Sequence, residues 1–223
     1  MVKFNKPITD YRYVLAFDLA KHRTGYALVD IVNNAVVMSG LVDMDNDAEF
    51  PWDGIYSQFM DIIYTAKSIV GDSCFFVTKE KLPNQAGRFT TIASLQGLAQ
   101  VHAIWELCCC HSKVEVYDCE GVHSVSVRAY VAHQTGIEKP TKEDVADYVS
   151  KKYGFNGILT ALDVTDAIAV VDTLVDKKWN SDIDTEIKNL KKQIKTYKTD
   201  KKKNELLAEI DKLKELKVDM EDK

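Results

Sequence analysis

The sequence is poor in the features that mark disulfide-rich, zinc-knuckle or membrane proteins. Its five cysteines are an odd number, three are consecutive, and no two stand in a C-x-x-C pair, so neither a disulfide framework nor a zinc knuckle is indicated. No apolar run reaches the roughly 18 residues that a membrane helix needs. The first residues lack a basic segment followed by an apolar one, as a secretory leader would have. We therefore expect a cytoplasmic protein without a membrane segment.

The chain also lacks an overall excess of basic residues, since its net charge is -5. Net charge limits non-specific attraction to phosphate, but it does not exclude a local basic patch. Between Lys188 and Lys203 the sequence places eight lysines against one acid. This stretch has two interpretations, a surface that follows phosphates or the solvated exterior of a helical segment.

The apolar pattern predicts an α/β fold. Alternating runs predict strands that end at Asp18, Asp30 and Asp43, joined as an antiparallel meander, and we expect Gly25 to let the chain double back. A further strand ends near Glu80. The remaining elements are a strand over 113–117 and helices over 52–70, 90–107, 122–133 and from 162 onward. A further helix carries Val145, Tyr148 and Val149, and a Thr141-x-x-Asp144 cap precedes it. Strands followed by alternating helices and strands predict a five-stranded mixed sheet flanked by helices.

Four carboxylates fall at the ends of these elements. Asp18 and Glu80 each follow an apolar strand, and Asp163 and Asp166 lie one turn apart at the start of a helix. Oxygen ligands of this kind suit Mg²⁺, with Mn²⁺ able to substitute. Two such ions about 3.5 to 4 Å apart can hydrolyse a phosphodiester by stabilising both the attacking and the leaving oxygen.

Each acid also has a structural explanation when it is taken alone. Asp163 could cap a helix, Asp166 could be a favourable charge in its first turn, and Glu80 could be a solvated acid between Lys79 and Lys81. The order in which the four acids occur favours the catalytic interpretation.

The ordered set of motifs resembles the RuvC family of Holliday-junction resolvases, within the RNase H-like nucleases. The resemblance rests on the Asp-x₆-Gly-Tyr-x-Leu hairpin from Asp18, on Glu80 and the apolar helix after it, and on the Asp163-x-x-Asp166-Ala pair. The run from Glu80 to Phe89 resembles the RuvC-like proteins of lactococcal phages, in which case the setting is the host cytoplasm.

The resemblance implies a homodimeric, Mg²⁺-dependent endonuclease that binds two ions per active site and nicks opposing strands of a four-way DNA junction. Asp18, Glu80, Asp163 and Asp166 would be its catalytic metal ligands, and the helix from Ile92 to Leu107 its dimer contact. We expected the face of that helix around Leu95, Leu98, His102 and Trp105 to meet the second copy.

The resemblance also implies residues that contact DNA, but this chain departs from the family's pattern at those positions. Bacterial relatives commonly carry an aromatic wedge three positions after the catalytic glutamate, where this chain has Pro83, and Phe89 is the nearest aromatic candidate. Other candidate DNA contacts are Lys81, Arg88, Arg128, Lys139 and Lys142. The candidate substrates are four-way junctions, three-way junctions and forked DNA, and the sequence does not indicate which of them is preferred.

Beyond Lys178 the composition changes, which predicts a nuclease domain over 1–178 and a helical or coiled-coil extension over 179–223. Apolar residues from Ile183 to Tyr197 follow 4-3-4-3 spacing, and a second stripe begins out of phase at Leu206. The break between them favours a helical hairpin over a single long helix.

Two other functions compete with the nuclease. One is a dimeric protein that binds junctions without cutting them. The other is a nucleotide-binding protein of the actin type, which would need a second glycine-rich phosphate loop, and the chain has only 10 glycines.

Overall fold

The computed structural model describes residues 2–3, 7–43, 51–82, 91–117, 121–154, 161–196 and 200–221. The packing of the chain divides it into two compact units, Met1–Lys6 with Asp10–Thr173, and Pro7–Thr9 with Leu174–Lys223. The predicted boundary between residues 178 and 179 stays a prediction.

The first unit is built on a mixed sheet, as the sequence predicts. Its strands are β1 (Val2–Lys3), β2 (Tyr13–Asp18), β3 (Arg23–Asp30), β4 (Ala35–Asp43), β5 (Phe75–Lys79) and β6 (Glu115–Val116), in the spatial order β1-β6-β5-β2-β3-β4. The pairs β2–β3 and β3–β4 are antiparallel, whereas β2–β5, β5–β6 and β1–β6 are parallel. The five predicted strands are therefore present, and the two-residue β1 adds an edge that the sequence did not indicate.

Six α-helices lie within the described ranges of the chain. They are α1 (Pro51–Val70), α2 (Ile92–Ser112), α3 (Ser124–Thr135), α4 (Lys142–Tyr153), α5 (Leu162–Thr196) and α6 (Asp200–Glu221). None of the helices in the described ranges is both long and apolar enough to cross a bilayer.

Several helix ends are confirmed where the sequence places them. Gly71, after α1, and Gly136, after α3, both have positive φ, which an L side chain adopts only with strain. At the start of α4 the Thr141 hydroxyl accepts from the Asp144 amide, and Asp144 accepts from the Thr141 amide, so a capping box is formed. These local signals fixed the positions of α1, α3 and α4.

The two faces of the sheet have different partners. Leu15 and Phe17 of β2 and Val77 of β5 pack in the cluster that contains the buried residues of α1 and α2. Because side chains alternate along a strand, Val14, Ala16 and Asp18 lie on the opposite face of β2. Asp18 is therefore directed away from the α1–α2 layer.

The second unit contains a pair of helices with its own small core. Leu190 of α5 and Leu206 and Ile210 of α6 are buried together, and Ile187, Ile194 and Leu213 pack against them. Only residues 197–199 separate the two helices. The two out-of-phase stripes of the sequence thus close on each other as a helical hairpin.

Candidate metal centre

Two parallel strands deliver acids to the same edge of the sheet. Asp18 is the last residue of β2, and Glu80 directly follows β5, which runs parallel to β2. The Glu80 amide continues the ladder by donating to the Phe17 carbonyl at 2.9 Å. The carboxyl ends of neighbouring parallel strands meet at one edge, so the two side chains become neighbours.

Lys79 and Glu80 are adjacent in the sequence, but their side chains lie on opposite faces of the sheet. Lys79 precedes Glu80, yet it is only 2% exposed and points to the other face, where its ammonium lies 2.6 Å from a Glu106 oxygen and 4.8 Å from the Trp105 ring centre. The sequence motifs identified Lys79 only as a neighbour of Glu80, and its burial was not predicted. Period-two alternation from Val77 could have predicted its burial.

Helix α5 brings two more acids to this edge, and a glycine makes the approach possible. Gly25 of β3 pairs with Asp18, and a Cβ atom built on Gly25 would lie 2.0 Å from the Asp163 carbonyl oxygen and 2.7 Å from the Val164 nitrogen. The backbone of β3 therefore touches the first turn of α5 with no room for a side chain. Gly25 was predicted to let the chain double back, but it lies inside β3. Its lack of a side chain allows the backbone of β3 to approach the first turn of α5.

The result is a compact acidic cluster. Oxygens of Asp18, Asp163 and Asp166 all lie within 4.8 Å of one another, a spacing at which three carboxylates could share one cation. Asp18 and Asp166 are 8% and 7% exposed, and the Asp163 side chain is partly exposed. Three oxygen donors with one open side fit a hard divalent cation that keeps some of its waters.

The ammonium group of a lysine lies in this cluster of acids. Lys142, the first residue of α4, places its Nζ 3.2 Å from Asp163 Oδ1 and 2.8 Å from Asp166 Oδ2. Partial burial lowers its pKa, but the hydrogen bond and charge of Asp166 outweigh this effect and raise the pKa overall. The contact demonstrates that the two α5 carboxylates can bind one positive charge together.

Burial and nearby negative charges raise the pKa of the two acids at the strand ends, Asp18 and Glu80. Burial, and then the charges of Glu80 and Asp166, raise the pKa of Asp18 well above its ordinary value. Burial and the charge of Asp166 also raise the pKa of Glu80, against the effect of hydrogen bonds from Asp18 and Ser124. Asp18 and Glu80 share a hydrogen bond, and a cation in the cluster would favour the charged form of both acids.

Another buried acid, Asp172, which no sequence motif indicated, connects α4 to α5. Asp172 accepts from the Tyr148 hydroxyl at 3.1 Å, the Tyr153 hydroxyl at 2.7 Å and the Lys152 ammonium at 2.9 Å. Since α4 carries Lys142 and α5 carries two of the clustered acids, these bonds set one group relative to the other. Asp172 is a positioning residue for the site.

The predicted DNA contacts have different locations. Arg128 donates to the Pro140 carbonyl at 2.7 Å, Lys139 is exposed, Lys81 is half-buried, and Lys142 lies in the acidic cluster. Arg88, Phe89 and Pro83 lie outside the described residues. The DNA-binding roles therefore stay predictions.

Helix α2 is also different from the prediction in one respect. Trp105 is fully buried and His102 is 5% exposed within the chain itself, so neither is available to a second copy as expected. Burial lowers the pKa of His102 to about 3. The large apolar side chains of α2 that are exposed are those of Ile92, its first residue, and Leu107, five residues before its last.

The strand order and the acids gathered at the carboxyl ends of β2 and β5 define an α/β fold of the RuvC type. The chain is similar to Thermus thermophilus RuvC in complex with a Holliday junction substrate, with a TM-score of 0.57, 12% identity, and coverage of 77% of this chain and 96% of that chain. The chain is also similar to a second structure, described simply as Thermus thermophilus RuvC. That match has a TM-score of 0.57 and 15% identity, and it covers 76% of this chain and 95% of that chain. At this identity the likeness establishes the fold alone.

Comparisons at the sequence level find no relative. No protein-family profile matches the sequence, and no curated protein matches it. The function is therefore argued from the site.

Proposed function

We propose that the protein is a divalent-metal-dependent endonuclease that cuts branched DNA. The observation that carries this proposal is the cluster of Asp18, Asp163 and Asp166, with Glu80 hydrogen-bonded to Asp18. It lies on a RuvC-like fold, and the matched Thermus protein is described in complex with a Holliday junction. Crossover junctions are the substrate that we infer, with three-way and forked DNA as related targets.

The four carboxylates are the metal ligands in this proposal. Mg²⁺, or Mn²⁺ in its place, would stabilise charge on the phosphate and activate water, and two ions per site would serve the attacking and leaving oxygens separately. The spacing of the acids and the ammonium already held between Asp163 and Asp166 support the fit.

The chain itself contributes rigidity and a phosphate-binding group. Asp18 is fixed on a central strand, Glu80 is held by backbone bonds on both of its sides, and α5 is seated against Gly25. Lys142 lies where its ammonium can leave the acids and contact a phosphate oxygen of the DNA. Lys81, Lys139, Arg128, Arg88 and Phe89 are further proposed contacts to DNA.

The protein would act as a homodimer, because a four-way junction needs two cuts on opposing strands. Helix α2 is the proposed contact, and the exposure of Ile92 (74%) and Leu107 (46%) supports it. Leu107→Lys should shift the protein from dimer to monomer in analytical ultracentrifugation. A wild-type protein that sediments as a monomer would contradict the dimer.

The direct test is cleavage of a synthetic four-way junction beside a linear duplex of the same sequence. We expect nicking of the junction alone, with Mg²⁺ or Mn²⁺, and a loss of at least about 10³-fold in Asp18→Asn. Asp147→Asn changes an exposed acid of α4 and is the matched control. If every branched substrate stays intact with both metals, the nuclease proposal is wrong, and binding without cutting would identify a junction-binding protein instead.

A further inference from the structure

The C-terminal hairpin is a feature that the proposed nuclease chemistry does not use. The Thermus RuvC match covers nearly all of that protein but leaves 23% of this chain, about 51 of its 223 residues, without a counterpart. The second compact unit, which contains the hairpin, is of the same size. A surface on it would be a property of this chain beyond the shared fold.

The packing of the hairpin restricts what it can bind. Its apolar stripes close on each other through Leu190, Leu206 and Ile210, so the described part of the hairpin does not need another helix to cover its seam. Binding to a bilayer surface requires a broad apolar face on an amphipathic helix. Leu207 is the one large apolar residue of the described hairpin side chains that is markedly exposed, at 47%. The remaining outer surface offers charge.

The charge is concentrated at the connecting end of the hairpin. Eight lysines and one acid lie between Lys188 and Lys203, in a protein whose net charge is -5. At about 1.5 Å per helical residue, these positions all fall within roughly 12 Å of the connection between α5 and α6. The single acid of this stretch is Asp200. Acids become frequent again on α6 from Glu205 onward.

We propose that this end of the hairpin binds the sugar-phosphate backbone of DNA outside the cleavage site. The inference rests on the proposed function, because it makes the hairpin a second contact of the same nuclease with its substrate. The surface, which we call the basic tip, consists of Lys188, Lys191, Lys192, Lys195, Lys201, Lys202 and Lys203. The ammonium groups of these lysines can contact phosphate oxygens, and such contacts carry no sequence preference.

Salt dependence of binding measures this contact directly. Neutralising Z phosphate contacts on duplex DNA lowers the slope of log K against log salt by about 0.9 per contact. The test variant replaces Lys191, Lys192, Lys195 and Lys201 by glutamine, which keeps the helix propensity nearly unchanged. Its slope on a four-way junction with long arms should be smaller by roughly 3 to 4, and its affinity at moderate salt should fall about 10- to 100-fold.

The control removes the same charge elsewhere. It replaces four exposed lysines outside the basic tip, namely Lys113, Lys151, Lys212 and Lys214, by glutamine. It should keep the wild-type slope, and a variant with arginine at the four tip positions should recover it. Circular dichroism checks that all three variants keep their helix content.

The outcomes separate the two proposals. If the tip and control variants share one slope while the wild type nicks junctions, the inference about the tip is wrong and the nuclease proposal stands. If the wild type neither binds nor cuts any branched DNA, both are wrong. Binding of the wild type to anionic phospholipid vesicles, lost in the tip variant without any change on DNA, would also overturn the inference.

Discussion

Replacing Gly25 by alanine tests whether the contact between β3 and α5 builds the metal site. The new Cβ would lie 2.0 Å from the Asp163 carbonyl oxygen, whereas ordinary contacts begin at 3.4 Å. The obstructing atoms belong to the backbone, so α5 must move by about 1.4 Å or β3 must yield by the same amount. Overpacking of this kind costs about 1 to 3 kcal/mol of the free energy of unfolding.

The effect on the site should exceed the effect on the fold. Mg²⁺ requires ligand oxygens at about 2.0 to 2.1 Å in nearly octahedral geometry, so a shift of more than an ångström separates Asp18 from Asp163 and Asp166 as joint ligands. We expect Gly25→Ala to weaken Mn²⁺ binding at least tenfold, and junction nicking about 10²-fold. Electron paramagnetic resonance of free Mn²⁺ measures the first, and a thermal melt without metal measures the cost in stability.

Gly54→Ala is the matched control for this experiment. Gly54 lies in α1 with open space where its Cβ would be, so alanine there should leave Mn²⁺ affinity unchanged and stabilise the helix by up to about 1 kcal/mol. A Gly25→Ala protein that binds Mn²⁺ as tightly as the wild type would refute the reasoning. The acids would then not depend on this contact for their arrangement.

The other acids and the lysine of the site give three further predictions. Burial and like charges raise the pKa of Asp18, so its ionised form destabilises the metal-free fold, and Asp18→Asn should raise the free energy of unfolding by roughly 1 to 3 kcal/mol at neutral pH. That gain should vanish in chemical denaturation at acidic pH, where the wild-type carboxyl is neutral as well; a gain that grows on acidification would have the wrong sign. Lys142→Met removes an ammonium that competes for the acids and should tighten Mn²⁺ binding about tenfold without DNA, while Lys151→Met, on the same helix but paired elsewhere, should not. Asp172→Asn should lower stability by about 2 to 4 kcal/mol in urea denaturation, because it weakens three hydrogen bonds to one buried carboxylate; an unchanged midpoint would show that the bonds are dispensable.

Most of the fold could be predicted from local sequence patterns. The strands over 13–43 and 75–79, the caps at Gly71, Thr141 and Gly136, and the acids at strand and helix ends were all predictable, because each depends on alternation, a cap or a turn. The two-residue β1 was not, since a strand that short has no periodicity of its own. The extent of α2 to Ser112 was also missed, because the consecutive cysteines give no stop signal.

The candidate site was less predictable than the acids that compose it. The sequence places Asp18, Glu80, Asp163 and Asp166 at the right ends of their elements, but it does not reveal what seats α5 or orients α4. Those functions belong to Gly25 and Asp172, whose partners lie 19 or more residues away in the sequence. The same limit explains Trp105 and His102: an all-round apolar helix does not indicate which face meets its own sheet.

The adjacent Lys79 and Glu80 make the register of β5 decisive for the composition of the acidic cluster. Because successive side chains point to opposite faces, a slip by one residue would move the carboxylate into the apolar layer beside Trp105 and the ammonium into the acidic cluster. The carboxylate would then face Glu106 and the Trp105 ring without the Lys79 ammonium, and the cluster would lose one of its four acids. The register of β5 is therefore coupled to the composition of the acidic cluster, because a pairing one residue out of register would remove Glu80 from it.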